Sequence, residues 1–258
     1  MKRIDNSPIP YDEAYAAQLP VLGAQGQQRL REARVHVVSA GRVGGTLTQY
    51  LAAAGVGALS NNDPQVVDPD NLNSFAFSYG DIGTKKVKAL SRRLALRDHS
   101  KFLWIALPVE ADEVDPYIEA SDLVICCANT VTGRVAAEQK AVRYGKPTMQ
   151  VGVFDGRDRL GGTIALHLPA NPWSACAGCY LDMDRERILD GALLSTVASA
   201  LAAIAANMAV AILSGVRAQV FREKNLFYVD LETYAIEALA VEKRSGCPLC
   251  GKFKEAQP

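Results

Sequence analysis

The feature that most constrains this fold is the segment VVSAGRVGG at residues 37–45, in which an apolar run changes abruptly into small residues and glycine. This change is typical of a β-strand that leads through a tight turn into a helix, where free backbone N–H groups of the first helical turn bind phosphate. The usual pattern is G-x-G-x-x-G. Here Ser39 stands at the first glycine position and Arg42 lies within the turn. The segment therefore predicts a strand, a turn and a helix whose phosphate site is altered.

Strands and helices are predicted to alternate around this unit. A helical region is expected over residues 11–33, a helix follows the glycine turn, and a second strand in ALSNND ends on Asp63. Apolar runs predict further strands in three segments, FLWIALPV, DLVICCAN and PTMQVGVF, with helices between them. This alternation predicts an α/β fold with a doubly wound, mostly parallel, Rossmann-like sheet, in which ligands bind at the carboxyl ends of the strands.

The pattern changes after residue 160. GGTIALHLP predicts another strand, a cysteine-bearing loop and a long uncharged helix follow, and NLFYVDLETYAIEALAVE predicts two paired strands. Neither an internal repeat nor a low-complexity linker divides the sequence. We therefore expect a single domain over residues 1–258, in which 11–160 form a nucleotide-binding part and 161–258 a smaller appendage.

The charge balance limits the class of partner. Lys plus Arg and Asp plus Glu each number 28, so the formal net charge is zero. This balance argues against the basic surface that nucleic acids and anionic membranes attract, and it favours a protein or small-molecule partner. The first basic residues are not followed by an apolar run, so the sequence predicts a cytoplasmic protein.

The stretch at residues 191–216 carries no charge and is long enough to cross a bilayer. Alanine dominates it, and polar residues such as Ser199 and Asn207 reduce the free energy that membrane insertion would gain. The stretch therefore favours a buried or interface helix over a membrane span.

Four of the six cysteines form two C-x-x-C pairs, Cys176 with Cys179 and Cys247 with Cys250. Two such pairs are typical of a structural zinc site, since both thiolates of a pair can turn toward one tetrahedral ion. Two redox-active pairs are the alternative, and a catalytic zinc is less favoured because four cysteines leave no open coordination position. The appendage at 161–258 is therefore predicted to bind zinc, which would attach the C-terminal region to a distant loop.

The other two cysteines, Cys126 and Cys127, end an apolar strand. Buried cysteine commonly behaves as a small hydrophobic residue, which fits at least one of them. The other could line a ligand pocket, because it lies at the edge of the sheet where ligands bind.

The order of several segments resembles the ThiF/MoeB/HesA family, the bacterial relatives of ubiquitin-activating enzymes. In chain order these segments are VVSAGRVGG, YLAAAGVGALSNND, VVDPDNLN, DIGTKKV, CCANTVTGR, YGKPTMQVGV and the two C-x-x-C pairs. The resemblance covers nearly the whole chain, and this order and spacing are more specific than the glycine turn alone.

The resemblance implies an activity. Members of the family bind ATP with magnesium and join AMP to the C-terminal carboxylate of a small ubiquitin-like protein or peptide, and they are usually homodimers. In this sequence Gly41 and Gly44 would let the backbone approach the phosphates, and Asp63 would accept hydrogen bonds from the ribose. Asn71 would contact the phosphates, and Lys86 would neutralise charge that develops at the α-phosphorus. Taken singly, these polar residues could equally belong to turns or to a solvated helix face.

The sequence departs from the family's pattern at residues of the active site. Ser74 and Phe75 stand where the family usually has an arginine and a glutamine, and Ala17 stands where an arginine reaches into the neighbouring subunit. Asn129 replaces the aspartate that binds magnesium, and ILDG at 188–191 stands where thioester-forming members have a cysteine. Losing one arginine that stabilises a phosphoryl transition state costs about a thousandfold in rate, so a replacement is required for catalysis.

Arg42 is the candidate for this replacement, because it occupies a turn position where the family usually has glycine. Three orientations of its guanidinium are open. It would bind a phosphate, or it would fill the pocket and exclude ATP, or it would extend into solvent. Two hypotheses follow: a divergent adenylyltransferase, or a pseudoenzyme that binds a peptide or protein for another enzyme. A nicotinamide or flavin dinucleotide-binding protein is a distant third, since Asp63 follows the turn at about the ribose-binding distance.

Overall fold

The computed structural model describes residues 9–95, 99–181 and 192–251. Within these ranges the chain forms an eight-stranded sheet with helices packed on it. The strands are β1 Arg34–Val38, β2 Ala58–Asn62, β3 Lys101–Ile105, β4 Leu123–Cys126, β5 Thr148–Val153, β6 Gly161–His167, β7 Leu226–Asp230 and β8 Ala235–Leu239. The α-helices are α1 Tyr11–Ala14, α2 Leu19–Glu32, α3 Arg42–Ala53, α4 Lys86–Leu94, α5 Asp115–Glu119, α6 Val131–Arg143, α7 Ala177–Tyr180 and α8 Ser195–Ser214.

The strand order is β3-β2-β1-β4-β5-β6-β7-β8. The pairs from β3 to β5 are parallel, and the pairs from β5 to β8 are antiparallel. The order reverses between β1 and β4, which is the switch point where doubly wound sheets bind ligands. The structure thus confirms the predicted Rossmann-like sheet, to which the residues after 160 add an antiparallel half.

The central strand β1 is buried on both faces, as a parallel strand covered by helices must be. On one face, Val35 and Val37 belong to the main core together with Leu47 of α3. On the other face, Val38 packs in a second cluster with Ala137 of α6. The three valines of β1 therefore place this strand in the middle of the molecule, and only its first residue, Arg34, is exposed.

The buried polar residue of β1 is His36, which is fully enclosed. Its imidazole nitrogens lie 2.8 Å from Ser60 Oγ and 3.1 Å from Asn62 Oδ1, both on the neighbouring strand β2. Burial lowers the pKa of His36 to about 4, so the side chain is neutral near pH 7. The polar pairing replaces water for a ring that the sheet encloses.

The long uncharged stretch forms α8, whose mean hydropathy of 2.0 and length would suffice for a membrane span. In the fold it packs against α3 and α2, and buried residues such as Leu201 and Ala205 belong to the same core as β1. The structure therefore shows a core helix with one partly exposed side. The ILDG segment before it lies outside the described residues.

Candidate functional site

A cavity of about 250 Å³ lies at the switch point, outside the carboxyl ends of β1, β4 and β5. Its walls carry cations, amides, carboxylates and a few apolar side chains, a combination suited to a polar, charged ligand. The lining residues used below are Ser39, Gly41, Arg42, Gln65, Asp68, Asp70, Asn71, Lys86, Cys127, Asn129, Arg134, Val151 and Leu193.

The glycine turn forms one wall and begins α3. Ser39 adopts a φ of 76°, in the left-handed region that favours glycine, which explains the usual residue at this position. A Cβ on Gly44 would lie 2.0 Å from the carbonyl oxygen of Ser39, so only glycine lets the helix approach the turn. A Cβ on Gly41 would meet only Ser39 Oγ at 3.5 Å. Gly44 is thus required by packing, whereas Gly41 leaves open space beside the helix N-terminus.

Asp63 follows β2 and is buried behind the glycine turn. Its carboxylate accepts hydrogen bonds of 2.8 Å from the backbone N–H groups of Ala40 and Gln65, and Ser39 Oγ lies at 3.4 Å. The residue therefore holds the turn in place. Its binding of a ribose stays a prediction.

Lys86 projects from the first position of α4 and is only 6% exposed. Its ammonium donates to Gln65 Oε1 at 2.7 Å. Within the described ranges Lys86 forms no ion pair, so its positive charge is buried beside a neutral amide at the cavity wall. An uncompensated buried charge is costly, and an anion in the cavity would relieve that cost.

Arg42 lies at the rim of the cavity and extends across it to the segment at 70–73. Its guanidinium donates to Asn73 Oδ1 at 2.6 Å, to the carbonyl oxygen of Asp70 at 3.1 Å and to Asp70 Oδ2 at 3.0 Å. Asp70 is largely exposed in this ion pair. The guanidinium is thus oriented by protein groups rather than extended into solvent.

Two asparagines predicted to bind the cofactor both line the cavity. Asn71 is buried in the 3-10 turn Pro69–Leu72, where its Oδ1 accepts from the N–H of Asp68 at 3.1 Å in a capping box. Asn129 follows β4 and is exposed. Asn71 therefore shapes the wall through local hydrogen bonds, while the amide of Asn129 faces solvent and the cavity.

One further cation of the cavity, Arg134, was not among the site residues predicted from the sequence. Arg134 lies in the first turns of α6, is 8% exposed, and lines the cavity beside β5. Its Nη2 donates to the carbonyl oxygen of Val151 at 2.8 Å. One feature of the sequence could have indicated Arg134 as a site residue: it is a basic residue about one helical turn after the predicted strand end CCAN. Helix N-termini that follow parallel strands face the edge of the sheet where ligands bind.

The two remaining cysteines differ in their surroundings, as their positions in the sequence predicted. Cys126 is fully buried in β4, and Cys127 lines the cavity. Burial raises the pKa of both thiols, so Cys127 is protonated at neutral pH. The structure therefore provides a small apolar wall at Cys127 rather than an activated nucleophile.

The four paired cysteines come together away from this cavity. All four Sγ atoms lie within 4.8 Å of one another, with Cys176 Sγ 3.5 Å from Cys247 Sγ and Cys179 Sγ 3.7 Å from Cys250 Sγ. Thiolates about 2.3 Å from one tetrahedral zinc ion would be about 3.8 Å apart, so the cluster fits the ion. Two redox pairs are disfavoured, since each sulfur lies close to one of the other pair.

Local groups favour a thiolate at Cys247, whereas burial raises the pKa of Cys176 and Cys250. Burial would raise the pKa of Cys247, but hydrogen bonds from the backbone N–H groups of Cys250 and Leu249 lower it to about 7. The N–H of Arg244 donates to Cys179 Sγ at 3.4 Å. A Cβ on Gly178 would lie 2.8 Å from Leu249 Cγ, so close packing holds the two cysteine segments together.

Comparison with known proteins adds three findings. Residues 13–249 match the ThiF family. The chain is 28% identical to the heterocyst HesA protein of Trichormus variabilis over 93% of its own length and 88% of that protein. It is also 28% identical to the sulfur carrier protein adenylyltransferase of Thermus thermophilus, over 90% of this chain and 88% of that one.

A solved structure shares the fold. The crystal structure of Escherichia coli MccB with ATP superposes with a TM-score of 0.75 at 18% identity, covering 95% of this chain and 76% of that one. At this identity the likeness concerns the arrangement of strands and helices.

Proposed function

This chain belongs to the ThiF family, and from that premise we propose that it is a divergent ATP-dependent adenylyltransferase. Its substrate would be the C-terminal carboxylate of a small ubiquitin-like protein or peptide. A relative over nearly the full length is a sulfur carrier protein adenylyltransferase, and the shared fold includes MccB, which has been crystallised with ATP. The observation that carries the proposal is Lys86, a buried cation that faces the cavity with a neutral hydrogen-bond partner.

In this reaction a carboxylate oxygen attacks the α-phosphorus of ATP. A new C–O–P linkage forms, the bond to the β-phosphate oxygen breaks, and pyrophosphate leaves with the electron pair. The N-terminus of α3 beside Gly41 offers backbone N–H groups to the phosphates, and Lys86 offsets the negative charge that develops in the transition state. Because both are fixed before the ligand enters, little reorganisation is needed.

Arg42 supports the same assignment through its location. Its guanidinium is bonded to the segment at 70–73, directly beside Ser74, where the family usually has an arginine. The positive charge is thus supplied to the same rim from the glycine turn instead. A planar guanidinium can bind two oxygens of one phosphate, which makes it a suitable substitute.

Magnesium would be held by oxygen donors that line the cavity, for which Asn129 and Asp68 are available. When bound, the ion neutralises phosphate charge. Zinc would be held by Cys176, Cys179, Cys247 and Cys250 as a structural ion. We also propose a cytoplasmic homodimer, in which the partly exposed side of α8 contacts a second copy.

The activity is tested by ATP–pyrophosphate exchange with a pool of peptides that carry free C-terminal carboxylates, matched to the same pool with amidated C-termini. We expect exchange with the free acids only, and loss of exchange in Lys86→Ala. Bound ATP without exchange for any free acid, including the purified carrier proteins of related systems, would contradict adenylation.

The second candidate is a scaffold that binds a peptide or protein for another enzyme. The ion pair between Arg42 and Asp70 across the rim favours it, because a rim closed by this pair would exclude a triphosphate. In that case wild-type protein would not bind ATP, and Arg42→Gly would restore binding.

A further inference from the structure

A buried polar network lies beneath the cavity and links three elements of the fold. It contains Arg134 and Glu138 of α6, Thr148 and Gln150 of β5, and His167 of β6, all of them buried. Burying this many polar groups costs free energy unless each is hydrogen-bonded, and apolar residues would fill the same space at a lower cost in free energy. The network therefore needs an explanation beyond stability.

Glu138 is the centre of the network. Its Oε2 accepts from Thr148 Oγ1 at 2.8 Å and from Gln150 Nε2 at 3.2 Å, and its Oε1 accepts from His167 Nδ1 at 2.7 Å. Thr148 and His167 are paired residues of β5 and β6. The carboxylate thus attaches α6 to both strands at one point.

These contacts fix the orientation of Gln150. A carboxylate can only accept hydrogen bonds, so Glu138 requires the amide NH₂ of Gln150 to face it. The amide oxygen of Gln150 then faces Arg134, whose Nη1 lies 3.4 Å away, while Gln150 Nε2 also donates to the carbonyl oxygen of Arg134 at 3.3 Å. Arg134 is therefore held at both its backbone and its guanidinium.

Arg134 is buried, with only 8% of its surface exposed, yet it forms no ion pair within the described ranges. Two acceptors, Val151 O and Gln150 Oε1, leave part of the guanidinium N–H capacity available. Lys86 reaches the same cavity from the helix after β2, and Arg134 reaches it from beside β5, with β1 and β4 between them in the sheet. An anion at the α3 N-terminus would lie between these two buried cations.

We propose that Arg134 binds a phosphate oxygen of the nucleotide, and that Glu138, His167 and Gln150 are positioning residues that hold its guanidinium at the cavity wall. The proposal rests on the proposed nucleotide binding. It assigns a role to a third cation, besides Lys86 and Arg42, at a site that lacks the arginine expected at position 74.

The test is calorimetric titration of zinc-loaded protein with Mg·ATP. We expect Arg134→Met to weaken binding at least about tenfold and Arg134→Lys to restore part of it, since a hydrogen bond to a charged group contributes about 1.5–3 kcal/mol. Asp115→Asn is the matched control, because it weakens a buried ionic contact between Asp115 of α5 and Lys140 of α6, and neither residue lines the cavity. This control should bind Mg·ATP as the wild type does.

Positioning is tested by a double-mutant cycle. Glu138→Gln alone should weaken Mg·ATP binding about threefold to tenfold, because its amide no longer dictates the orientation of Gln150. In the Arg134→Met background the same change should have no further effect. Equal weakening in both backgrounds would assign Glu138 a merely structural role and would overturn the positioning claim. Thermal unfolding of each variant without ligand confirms that the folded state is being compared.

Two other outcomes are distinguishable. Wild-type affinity in Arg134→Met would overturn the assignment of Arg134 and leave the proposed function intact. No binding of Mg·ATP or inorganic pyrophosphate by the wild type would overturn the nucleotide function and this assignment together.

Discussion

The cysteine cluster and the cavity are joined by the same helix, yet they respond differently to sequence change. Val135 of α6 packs against the cysteines, and Arg134 beside it lines the cavity. The cluster keeps four identical ligands in a tightly packed setting, because a tetrahedral ion accepts few alternatives. The cavity has a backbone frame, formed by the glycine turn and the strand ends beside it, together with Lys86. The sequence predicts that two charged residues of the family's pattern are replaced around it, at Ser74 and Asn129. A frame is determined by geometry, whereas a binding surface can obtain the same charge from another residue.

The largest effect on stability is expected when the cysteine cluster is disrupted. We expect Cys247→Ser to release zinc and to lower the thermal midpoint by about 10 °C or more, since a structural metal site contributes directly to folding free energy. Cys126→Ser is the matched control, because Cys126 is buried but lies outside the cluster. Zinc content by atomic absorption and calorimetric melting check both variants. A stoichiometric zinc content in Cys247→Ser would exclude this ligand set.

The frame of the cavity is the next most sensitive. Gly44→Ala should destabilise the protein by about 4 kcal/mol, because its Cβ would lie 2.0 Å from the carbonyl oxygen of Ser39. Gly41→Ala should change the free energy of unfolding little, since its Cβ enters open space. Urea denaturation measures both. Equal stability losses would show that Gly41 is also a packing residue, and weaker Mg·ATP binding in Gly41→Ala alone would place phosphate beside it.

The free energy of unfolding should depend on pH through His36, which lies in the sheet beneath the cavity. Its pKa is about 4 in the folded state and about 6.5 when unfolded, so the unfolded chain binds the proton more readily. The stabilisation is therefore fully present above pH 6.5 and is lost as pH falls toward 4, by about 3 kcal/mol in total. Urea denaturation of wild type and His36→Gln at pH 7.0, 5.5 and 4.5 measures it. Parallel losses in the two proteins would assign the pH dependence to other groups.

The smallest change in stability is expected at the rim. Asp70→Asn removes an exposed ion pair with Arg42 and should alter the free energy of unfolding by less than about 1 kcal/mol. It should strengthen Mg·ATP binding a fewfold, because Arg42 no longer has a competing carboxylate. Thermal melts and titration calorimetry test the two effects. Weaker binding in Asp70→Asn would mean that the ion pair orients Arg42 productively.

Much of the frame was predictable from the sequence. The apolar runs around Val37 and Ile125 specify buried parallel strands, and the spacing within the cysteine pairs specifies a four-sulfur cluster. Gly44 follows from the same local rule, since a helix that begins this close to a strand excludes a side chain. Such features depend on neighbouring residues or on fixed spacings, which a sequence displays directly.

The charged residues of the cavity were less accessible to sequence reasoning. Glu138 and His167 are 29 residues apart and meet only because β6 pairs with β5 beneath α6. Asp63 follows the predicted strand but its carboxylate faces the glycine turn, and the partner of Arg42 is fixed by how the segment at 70–73 folds back. These orientations depend on tertiary packing, which residue type and spacing do not reveal.

The central claim is that the cavity binds Mg·ATP through the buried charge of Lys86. Titration calorimetry on zinc-loaded wild type, Lys86→Ala and Lys85→Ala tests it most directly, because Lys85 is the adjacent lysine and donates to Pro64 O at 2.6 Å, outside the cavity lining. We predict micromolar binding in wild type and Lys85→Ala, and at least about tenfold weaker binding in Lys86→Ala. Equal affinities in all three proteins, or binding that appears only after Arg42→Gly, would contradict it.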